Sequence, residues 1–539
     1  MKQLKAQLYN KSRSRSFLWK LSVGTVLLGI VFGFLSSFFD FKSDTTLQSR
    51  IGSYISSNSS EFTQVDSLQS QMTKVVLNLV RESLESGELE TEELLIEIPH
   101  LQYWIHSEQH PQFEALIRKH LPEADVKILL LFINALSDKP EPAKTKLEQL
   151  ATSTPTPRYA NQILGIIASD AQLYNKAYPY FLKESEFPEA QWAREQAVLN
   201  RFYINDFEAL EKLANDPLFS NAFKPRIRAE LAIHKRDWLN AIKWIALGQL
   251  ARIETGIFIL ATIGMVVWST ILLQLGQATR FDKLTPFLCL GALFLGVLST
   301  TLTLFWIILE DLYLPISGGD DLFHNIVYYV ATVGLREEVC KLLFFLPLAP
   351  VLIKRGNEME FLLVASFAGL GFAYQENFSY LSDSMGTAFT ARFLTANFLH
   401  ISLTGMSGLF FCRAWRTRGY SYNDFLYIFG IAVIAHGLYD ALLTSPLMED
   451  GGLLAMILYI LFSKFYFKEA HNLRQKSHSV ISLTGTMAFG VSLLIASLLV
   501  YLSIILNLPQ AIQLAFSSFL GSAIILFMFF REFNESLVD

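Results

Sequence analysis

Charged residues are scarce in this 539-residue sequence, because they make up 17% of it, against about a quarter of an ordinary soluble protein. Hydrophobic residues make up 52%, which excludes a single soluble globule. A basic surplus is also absent, since 44 Lys and Arg face 49 Asp and Glu, so no global field would hold nucleic acid. The few cysteines lie inside apolar runs and exclude a disulfide framework: Cys289, Cys340 and Cys412.

The first apolar run covers 17–39 and follows a basic amino terminus, 1–16, that we predict to be cytoplasmic. The run is long enough to cross a hydrocarbon layer of ~30 Å. We interpret it as a signal anchor. A cleaved signal peptide is the alternative, but the sequence from Ser36 to Asp40 is a poor small-x-small cleavage site.

The segment 40–254 has a soluble composition, with apolar residues at helical spacing. Small and large apolar residues recur in it at 32-residue intervals, as stacked helical hairpins require. The recurring positions are Gly165, Ala197 and Ala229; Ala177, Ala209 and Ala241; and Phe181, Leu213 and Ile245. The pattern resembles degenerate tetratricopeptide repeats, and a non-repetitive helical bundle is the alternative.

Nine further apolar runs follow, which with the anchor predict about ten transmembrane helices. Lys and Arg collect in alternate short loops, whereas the other short loops hold Arg392 as their one basic residue. Because cytoplasmic loops are the basic ones, this alternation places 40–254 on the extracytoplasmic side. The predicted membrane segments are two helices in 255–319, a core in 320–470 and two helices in 471–539.

Ionisable side chains occur inside four of the predicted spans, where each is costly and indicates a function with a partner. At ~1.5 Å per residue, the span boundaries bring them all to the outer third of the bilayer, although the spans alternate in direction. The sequence therefore predicts one shared polar site near the outer surface. Its candidate residues are Glu337, Glu338, Lys341, Glu376, His400, His436 and Asp440.

Structural roles are the alternatives for these residues. Two adjacent glutamates with Lys341 would also make a salt bridge that cements a bundle, in which Arg336 neutralises the second carboxylate. His400 alone is typical of a hydrogen-bonded packing histidine. Tyr380 fits an interfacial aromatic better than a reactive phenol, and Asp440 lies where water would solvate it.

Two carboxylates beside a cation suit a general base that activates water, and imidazoles can donate to a developing oxyanion. No Ser or Cys is placed beside a base in these runs, so covalent catalysis has little support. Two histidines and a glutamate could also bind Zn²⁺, although no H-E-x-x-H motif occurs. A metal therefore stays open at this point.

Four motifs in this order resemble the PrsW family of glutamic-type intramembrane peptidases, in a clan with CAAX-processing and bacteriocin-processing proteases. They are E-E-x-x-K at 337–341, G-x-G-F-A-x-x-E-N-x-x-Y at 369–380, His400, and H-G-x-x-D at 436–440. The resemblance covers about 320–470. It implies a helical core that hydrolyses a peptide bond near the outer face, as founding members do in the first cut of an anti-sigma factor.

The resemblance also implies roles for single residues. Glu337 and Glu338 would be the catalytic carboxylate pair, and Glu376, His400, His436 and Asp440 would complete the site. The family's acidic stretch before G-x-G-F is replaced here by 357–360, which read as cytoplasmic, so we leave those residues out of the site.

The sequence thus predicts an all-α polytopic membrane protein with an extracytoplasmic tetratricopeptide-like domain, in a bacterial-type plasma membrane. Its predicted function is intramembrane proteolysis with Glu337 as the general base. Regulatory proteolysis, of the anti-sigma-factor type, is one form of this prediction. No cofactor is expected, with a divalent metal such as zinc left open. The expected partners are a membrane-protein substrate, with single-pass proteins among the candidates, the lipid bilayer and, as an option, a protein bound by the helical domain; nucleic acid is not expected.

Two functions of other classes remain as alternatives. One is a catalytically inactive scaffold or immunity-type binding protein. The other is a proton-coupled transporter, which would need polar residues that continue to the inner face. The inner halves of the spans are apolar instead, as in 342–345 and 361–364.

Overall fold

The computed structural model describes residues 2–36, 65–87, 89–101, 110–137, 140–277, 284–314, 318, 321–444, 451–474 and 481–533. These residues form helices and no β-strand. The chain divides into two compact units, one made of 42–241 and one of 1–41 with 242–539. Several predicted boundaries, among them the end of the anchor at 37–39 and the division at 319–320, lie outside the described residues.

The described residues of the unit 42–241 form a succession of helices around their own apolar core. Gly165 packs so closely against Phe181 that a Cβ at this glycine would lie 2.6 Å from the ring. Four of the repeated small residues, Ala177, Ala197, Ala229 and Ala241, are fully buried. The helices are α3 Val65–Glu85, α4 Thr91–Leu101, α5 His110–His120, α6 Glu123–Ala135, α7 Glu141–Ala151, α8 Ala160–Asp170, α9 Tyr174–Glu184, α10 Gln191–Tyr203, α11 Phe207–Ala214 and α12 Pro225–His234. The tetratricopeptide assignment stays a prediction.

The other unit holds the long apolar helices. It comprises α1 Lys2–Lys11, α2 Arg15–Ser36, α13 Trp238–Ala251, α14 Thr255–Leu275, α15 Leu284–Tyr313, α16 Leu322–Tyr328, α17 Leu335–Phe345, α18 Ala349–Arg355, α19 Glu358–Asp383, α20 Phe389–Leu394, α21 Ala396–Arg416, α22 Tyr422–Thr444, α23 Gly451–Leu473, α24 Leu483–Ile505, α25 Leu508–Gly521 and α26 Ala523–Phe533. Helix α13 begins at the end of the first unit and continues into this one.

Six of the described helices are long and apolar enough to cross a membrane: α2, α14, α15, α22, α23 and α24. The pair α25 and α26, bent by 53°, adds a seventh if it forms one span. Helices α19 and α21 are not among the six, because the polar side chains they carry lower their apolar character. The chain is therefore an integral membrane protein, and the count of ten spans stays a prediction.

The apolar run 322–353 is too long for one straight span, so the sequence predicts that it tilts, kinks or lies partly outside the bilayer. In the structure this run is broken. A π-helical turn, Tyr329–Gly334, separates α16 from α17, and a 3₁₀ turn, Leu346–Leu348, separates α17 from α18. The second break occurs at Pro347, which lacks a backbone N–H group, and is followed by Pro350. π-Helical turns are rare in proteins, and those that occur frequently lie at functional sites. This break puts Glu337 at the start of α17.

Helix α19 is the central helix of this unit, and every residue from Met359 to Ala373 is buried. Two glycines of its G-x-G motif permit this position. A Cβ at Gly371 would lie 2.8 Å from the backbone carbon of Leu293 in α15, and one at Gly369 would lie 2.7 Å from that of His400 in α21. The motif therefore brings α21, with His400, directly against α19.

The amino-terminal helix α2 packs against α24. A Cβ at Gly29 would lie 2.6 Å from Cα of Ala496, and one at Gly33 would lie 2.6 Å from Oγ of Ser503. This G-x-x-x-G spacing is typical of closely packed transmembrane helices. Helix α24 thus joins the predicted anchor to the rest of the unit.

Candidate active site

The four predicted polar motifs come from four helices that surround one buried cluster. Helix α17 supplies three adjacent side chains, because residues three and four positions apart share a helix face. Helix α19 supplies one, α21 one and α22 two. All seven predicted residues lie in this cluster: Glu337, Glu338, Lys341, Glu376, His400, His436 and Asp440.

Lys341 is the central cation of the cluster and is fully buried. Its Nζ atom lies 2.8 Å from Oε1 of Glu338, 3.3 Å from Oε2 of Glu337 and 2.7 Å from Nδ1 of His400. The same atom lies 4.0 Å from the ring centroid of Phe372, which adds a cation–π contact. Lys341 thus joins α17 to α21 and neutralises part of the carboxylate charge.

His436 faces both members of the carboxylate pair. Its Nδ1 atom lies 2.9 Å from Oε1 of Glu338, and its Nε2 atom lies 3.4 Å from Oε2 of Glu337. Nε2 also lies 3.5 Å from Oδ2 of Asp440, one turn later on α22. The His400 and His436 rings meet edge to face, with their centroids 5.0 Å apart. One imidazole nitrogen is therefore held by Glu338, and the other points toward Glu337.

The two adjacent glutamates differ in their surroundings. The Glu338 side chain is 1% exposed, and its Oε1 contacts both Lys341 and His436. Its Oε2 has no hydrogen-bond partner among the described residues. The Glu337 side chain is 10% exposed and, within the described part of the chain, has the two longer contacts, at 3.3 and 3.4 Å. Glu337 is thus the less constrained and more accessible carboxylate of the pair.

Arg392 was not among the predicted site residues, but the structure places it at the more exposed edge of the cluster. A terminal nitrogen of its guanidinium lies 2.7 Å from Oε2 of Glu376, which is also 3.0 Å from Nε2 of His400. The guanidinium stacks 3.9 Å from the ring centroid of Tyr380. The sequence did contain a sign of this role, because Arg392 is the one basic residue in the predicted outer short loops.

Three other charged residues, Arg336, Glu358 and Glu360, do not belong to the cluster. Arg336, expected to neutralise the second carboxylate, instead pairs with Glu310 of α15, so this expectation was wrong. Glu358 and Glu360 form ion pairs with Arg413 and Arg355 at the start of α19. At ~1.5 Å per residue, they lie about 25 Å along the helix from Glu376. Leaving 357–360 out of the site agrees with this placement.

A comparison with known protein families finds a match to the core of this unit. Residues 285–466 match a sequence family described as the PrsW family intramembrane metalloprotease. This part of the chain is similar to that family, and we refer to residues 285–466 as the PrsW domain. No curated protein and no solved structure matches the chain. The PrsW domain contains α15 to α22 and most of α23, and so includes all seven predicted residues.

The family description raises the question of a metal in the PrsW domain. Glu337, His400 and His436 each offer one ligand atom, and these atoms lie within 4.8 Å of one another. Two histidines and a carboxylate are a donor set of catalytic zinc sites, so the residue types fit. Glu376 also holds one nitrogen of His400, and Glu338 holds one nitrogen of His436, as outer partners of metal ligands do. However, Lys341 occupies the space beside these donors and contacts Nδ1 of His400.

Proposed function

We propose that this chain is an intramembrane endopeptidase that hydrolyses a peptide bond of a membrane protein near the extracytoplasmic face, with Glu337 as the general base. The single observation that carries the proposal is the cluster itself, in which carboxylates, imidazoles and one ammonium group from four helices contact each other. Buried ionisable groups are costly within a membrane, and a set this dense is typical of a functional site.

In the proposed reaction, the Glu337 carboxylate takes a proton from a water molecule, and the water oxygen attacks the carbonyl carbon of the scissile bond. The C–N bond then breaks, and the proton passes from Glu337 to the leaving amine. Glu337 suits this role because it is more exposed and less tightly held than Glu338. Lys341 balances its charge, and Glu338 holds Lys341 and His436, which both contact Glu337.

The histidines and Asp440 have supporting roles in this proposal. His436 directs Nε2 toward Glu337 and positions the water, while Asp440 orients the ring from one turn away. The positive charge of Lys341 stabilises the oxyanion of the tetrahedral intermediate, and Nδ1 of His400 holds the Lys341 ammonium group in place. A metal is the alternative that the donor set favours. Glu337, His400 and His436 would hold it, and it would supply Lewis-acid activation of the scissile carbonyl.

The test compares cells that carry wild type, Glu337→Gln or Glu358→Gln. Quantitative proteomics of the extracytoplasmic fraction should find at least one membrane-protein fragment that depends on Glu337. Glu358→Gln is the matched control, since the same change falls on an ion pair at the remote end of the domain. We expect the control to release the fragment normally. Equal release by wild type and Glu337→Gln would contradict the proposal and leave a scaffold function.

The fragment identified in this way supplies a reporter substrate for the purified protein. Loss of a general base should lower turnover of the reporter by about 10²- to 10⁴-fold. We expect cleavage to continue after treatment with a zinc chelator. Loss of cleavage that added zinc restores would assign the role to a metal held by Glu337, His400 and His436.

The topology is part of the same proposal. We place the amino terminus in the cytoplasm and 40–254 outside it, across a plasma membrane with ten spans, on the basis of the loop charges. The test introduces single cysteines at Lys176 or at Lys354 into a chain from which Cys289, Cys340 and Cys412 have been removed. On intact cells, a membrane-impermeant maleimide should react with a cysteine at position 176 and should not react with one at position 354. The reverse pattern would invert the topology.

The helical unit has a proposed role in substrate choice. Stacked helices form extended binding surfaces, so this unit would dock the outer part of a substrate or a partner protein. Deletion of 45–250 should change which fragments are released, while the membrane unit still inserts. An unchanged set of fragments would contradict this role.

A further inference from the structure

Arg392 is held at the site by three neighbours on one helical turn of α19. It lies on the six-residue helix α20, between α19 and α21. Its terminal nitrogen donates to Oε2 of Glu376 and its Nε donates to Oδ1 of Asn377, both at 2.7 Å. Its guanidinium also covers the ring of Tyr380. The Arg392 side chain is only 14% exposed, so these contacts form in a largely enclosed place.

Asn377 is fixed in turn from the other side. Its Nδ2 donates to Oδ1 of Asn397 at 2.9 Å, and Asn397 lies on α21, three residues before His400. Both asparagines are buried. Arg392 is thus part of a polar connection between α19 and the helix that supplies His400.

The hydrogen bonds from Arg392 continue to Lys341 through two residues. Oε2 of Glu376 lies close to both Arg392 and Nε2 of His400. A protonated lysine can only donate, so Nδ1 of His400 accepts from Lys341 and the ring proton lies on Nε2. Nε2–H then donates to Glu376. The order of contacts is Arg392, Glu376, His400 and Lys341.

We propose that Arg392 is a positioning residue of the peptidase site, which holds Glu376 so that His400 keeps its proton on Nε2 and presents Nδ1 to Lys341. This inference rests on the proposed function. Arg392 acts through Glu376 and does not touch the reacting atoms. Removal of the guanidinium leaves Glu376 with one donor, so both its carboxylate and the His400 ring lose their fixed orientation.

Arginine suits this position because its planar guanidinium donates in two directions at once, to Glu376 and to Asn377. A lysine at this position has a single ammonium centre and can keep the Glu376 contact alone. The structure therefore predicts a graded series, in which the lysine variant retains more function than the alanine variant.

The experiment measures kcat and KM for the reporter substrate with Arg392→Ala, Arg392→Lys, Glu376→Gln and the double variant Arg392→Ala/Glu376→Gln. Loss of the outer group that orients a metal-binding histidine typically costs about 10- to 100-fold, and we expect a similar loss for the group that orients His400 through Glu376. We expect Arg392→Ala to lose that much in kcat with little change in KM, and Arg392→Lys to lose less. Because Arg392 acts through Glu376, the double variant should be no slower than Glu376→Gln alone.

Arg355→Ala is the matched control. Arg355 also forms a two-point ion pair with a buried glutamate, Glu360, within the same domain but at the remote end of α19. Arg355→Ala should lower the melting temperature in detergent without lowering kcat. Dilute methylguanidine should restore turnover to Arg392→Ala, whereas it should leave Arg355→Ala unchanged, so a purely structural loss is distinguishable.

The outcomes separate the two proposals. If Glu337→Gln is inactive but Arg392→Ala turns over at the wild-type rate, the positioning role is wrong and the proposed function stands. Independent losses that multiply in the double variant would also overturn it. If Glu337→Gln itself cleaves normally, the proposed function fails. Should Arg392→Ala fail to fold, Arg392→Lys carries the comparison, and equal kcat for Arg392→Lys and wild type would overturn the role.

Discussion

Nζ of Lys341 lies 2.7 Å from Nδ1 of His400, so a fully buried lysine contacts an imidazole as well as carboxylates. The two residues are on different helices, α17 and α21. Their contact places positive charge at the point where the carboxylate pair and the histidines meet. The carboxyl groups of the cluster outnumber its cations, since Glu337, Glu338, Glu376 and Asp440 face Lys341 and Arg392.

Lys341→Met should both destabilise the domain and stop turnover. Removing one partner of a buried ion pair leaves an uncompensated charge and typically costs about 3–5 kcal/mol. Here two carboxylates, Glu337 and Glu338, lose their shared cation. The free energy of unfolding, measured by denaturant titration in mixed micelles, checks this value.

Lys354→Met provides the comparison, because Lys354 is an exposed lysine near the end of α18 in the same domain. We expect a change within about 0.5 kcal/mol for this variant. Equal losses for the two lysines would show that Lys341 does not compensate the carboxylate pair.

Much of the cluster follows from the sequence, because ionisable groups at one depth in four spans need partners at that depth. That argument brought Glu376 and His436 to the same place without any contact information. It could not find Arg392, which lies on a short helix between spans, where an arginine is ordinarily solvated. It also misassigned Arg336, because sequence neighbours suggest partners along one helix, whereas Glu310 approaches from α15.

The fold was predictable where apolar length decides it, as for α14, α15 and α24. The break in 322–353 was expected only as a tilt, a kink or an excursion from the bilayer. Its position depends on tertiary contacts, since Gly334 and Gly437 let the π-helical turn and α22 approach closely. The spacing of apolar residues and the hydropathy along the sequence do not show which helices contact each other.

Gly437→Ala should impair the site without changing any ionisable group. A Cβ at Gly437 would lie 2.6 Å from the backbone oxygen of Tyr329, so α22 must move away from the π-helical turn. His436 and Glu337 then separate. Overpacking of this kind costs about 1–3 kcal/mol, and we expect turnover to fall with it.

Gly430→Ala is a control on the same helix, because a Cβ there would meet nothing within 4 Å. Melting temperature and kcat for the reporter should stay near wild type in this variant. If Gly437→Ala behaves like Gly430→Ala, the close approach of these helices has no role in holding the site.

The helical unit should become more stable as the pH falls from neutral toward 4.5, the ordinary pKa of a glutamate. Burial raises the pKa of Glu184, which accepts backbone N–H groups of Tyr159 and Gln162 at the start of α8. A raised folded-state pKa means that the fold binds this proton more tightly than the unfolded chain. The resulting stability is therefore fully present below the ordinary value of 4.5 and is lost as the pH rises through the raised pKa.

Hydrogen exchange of α8 in the full-length protein, corrected for the intrinsic effect of pH, measures this dependence. Glu184→Gln should flatten it. Some dependence should remain, because burial also raises the pKa of Glu92 and of Asp170. Protection that increases with pH in the wild type would contradict the assignment.

Gly29→Leu should detach α2 from α24. The glycine backbone lies directly against Ala496, so a leucine side chain has no room unless the two helices separate. Gly24→Leu, on the same helix, is the matched control, since a Cβ at Gly24 would meet nothing within 4 Å. We expect a lower melting temperature in detergent for Gly29→Leu alone. Because α2 is predicted to be an uncleaved anchor, intact-mass analysis should find residues 1–36 retained in both variants and in the wild type. A mature chain that begins after this helix would contradict the anchor, and equal melting temperatures for the two variants would contradict the packing.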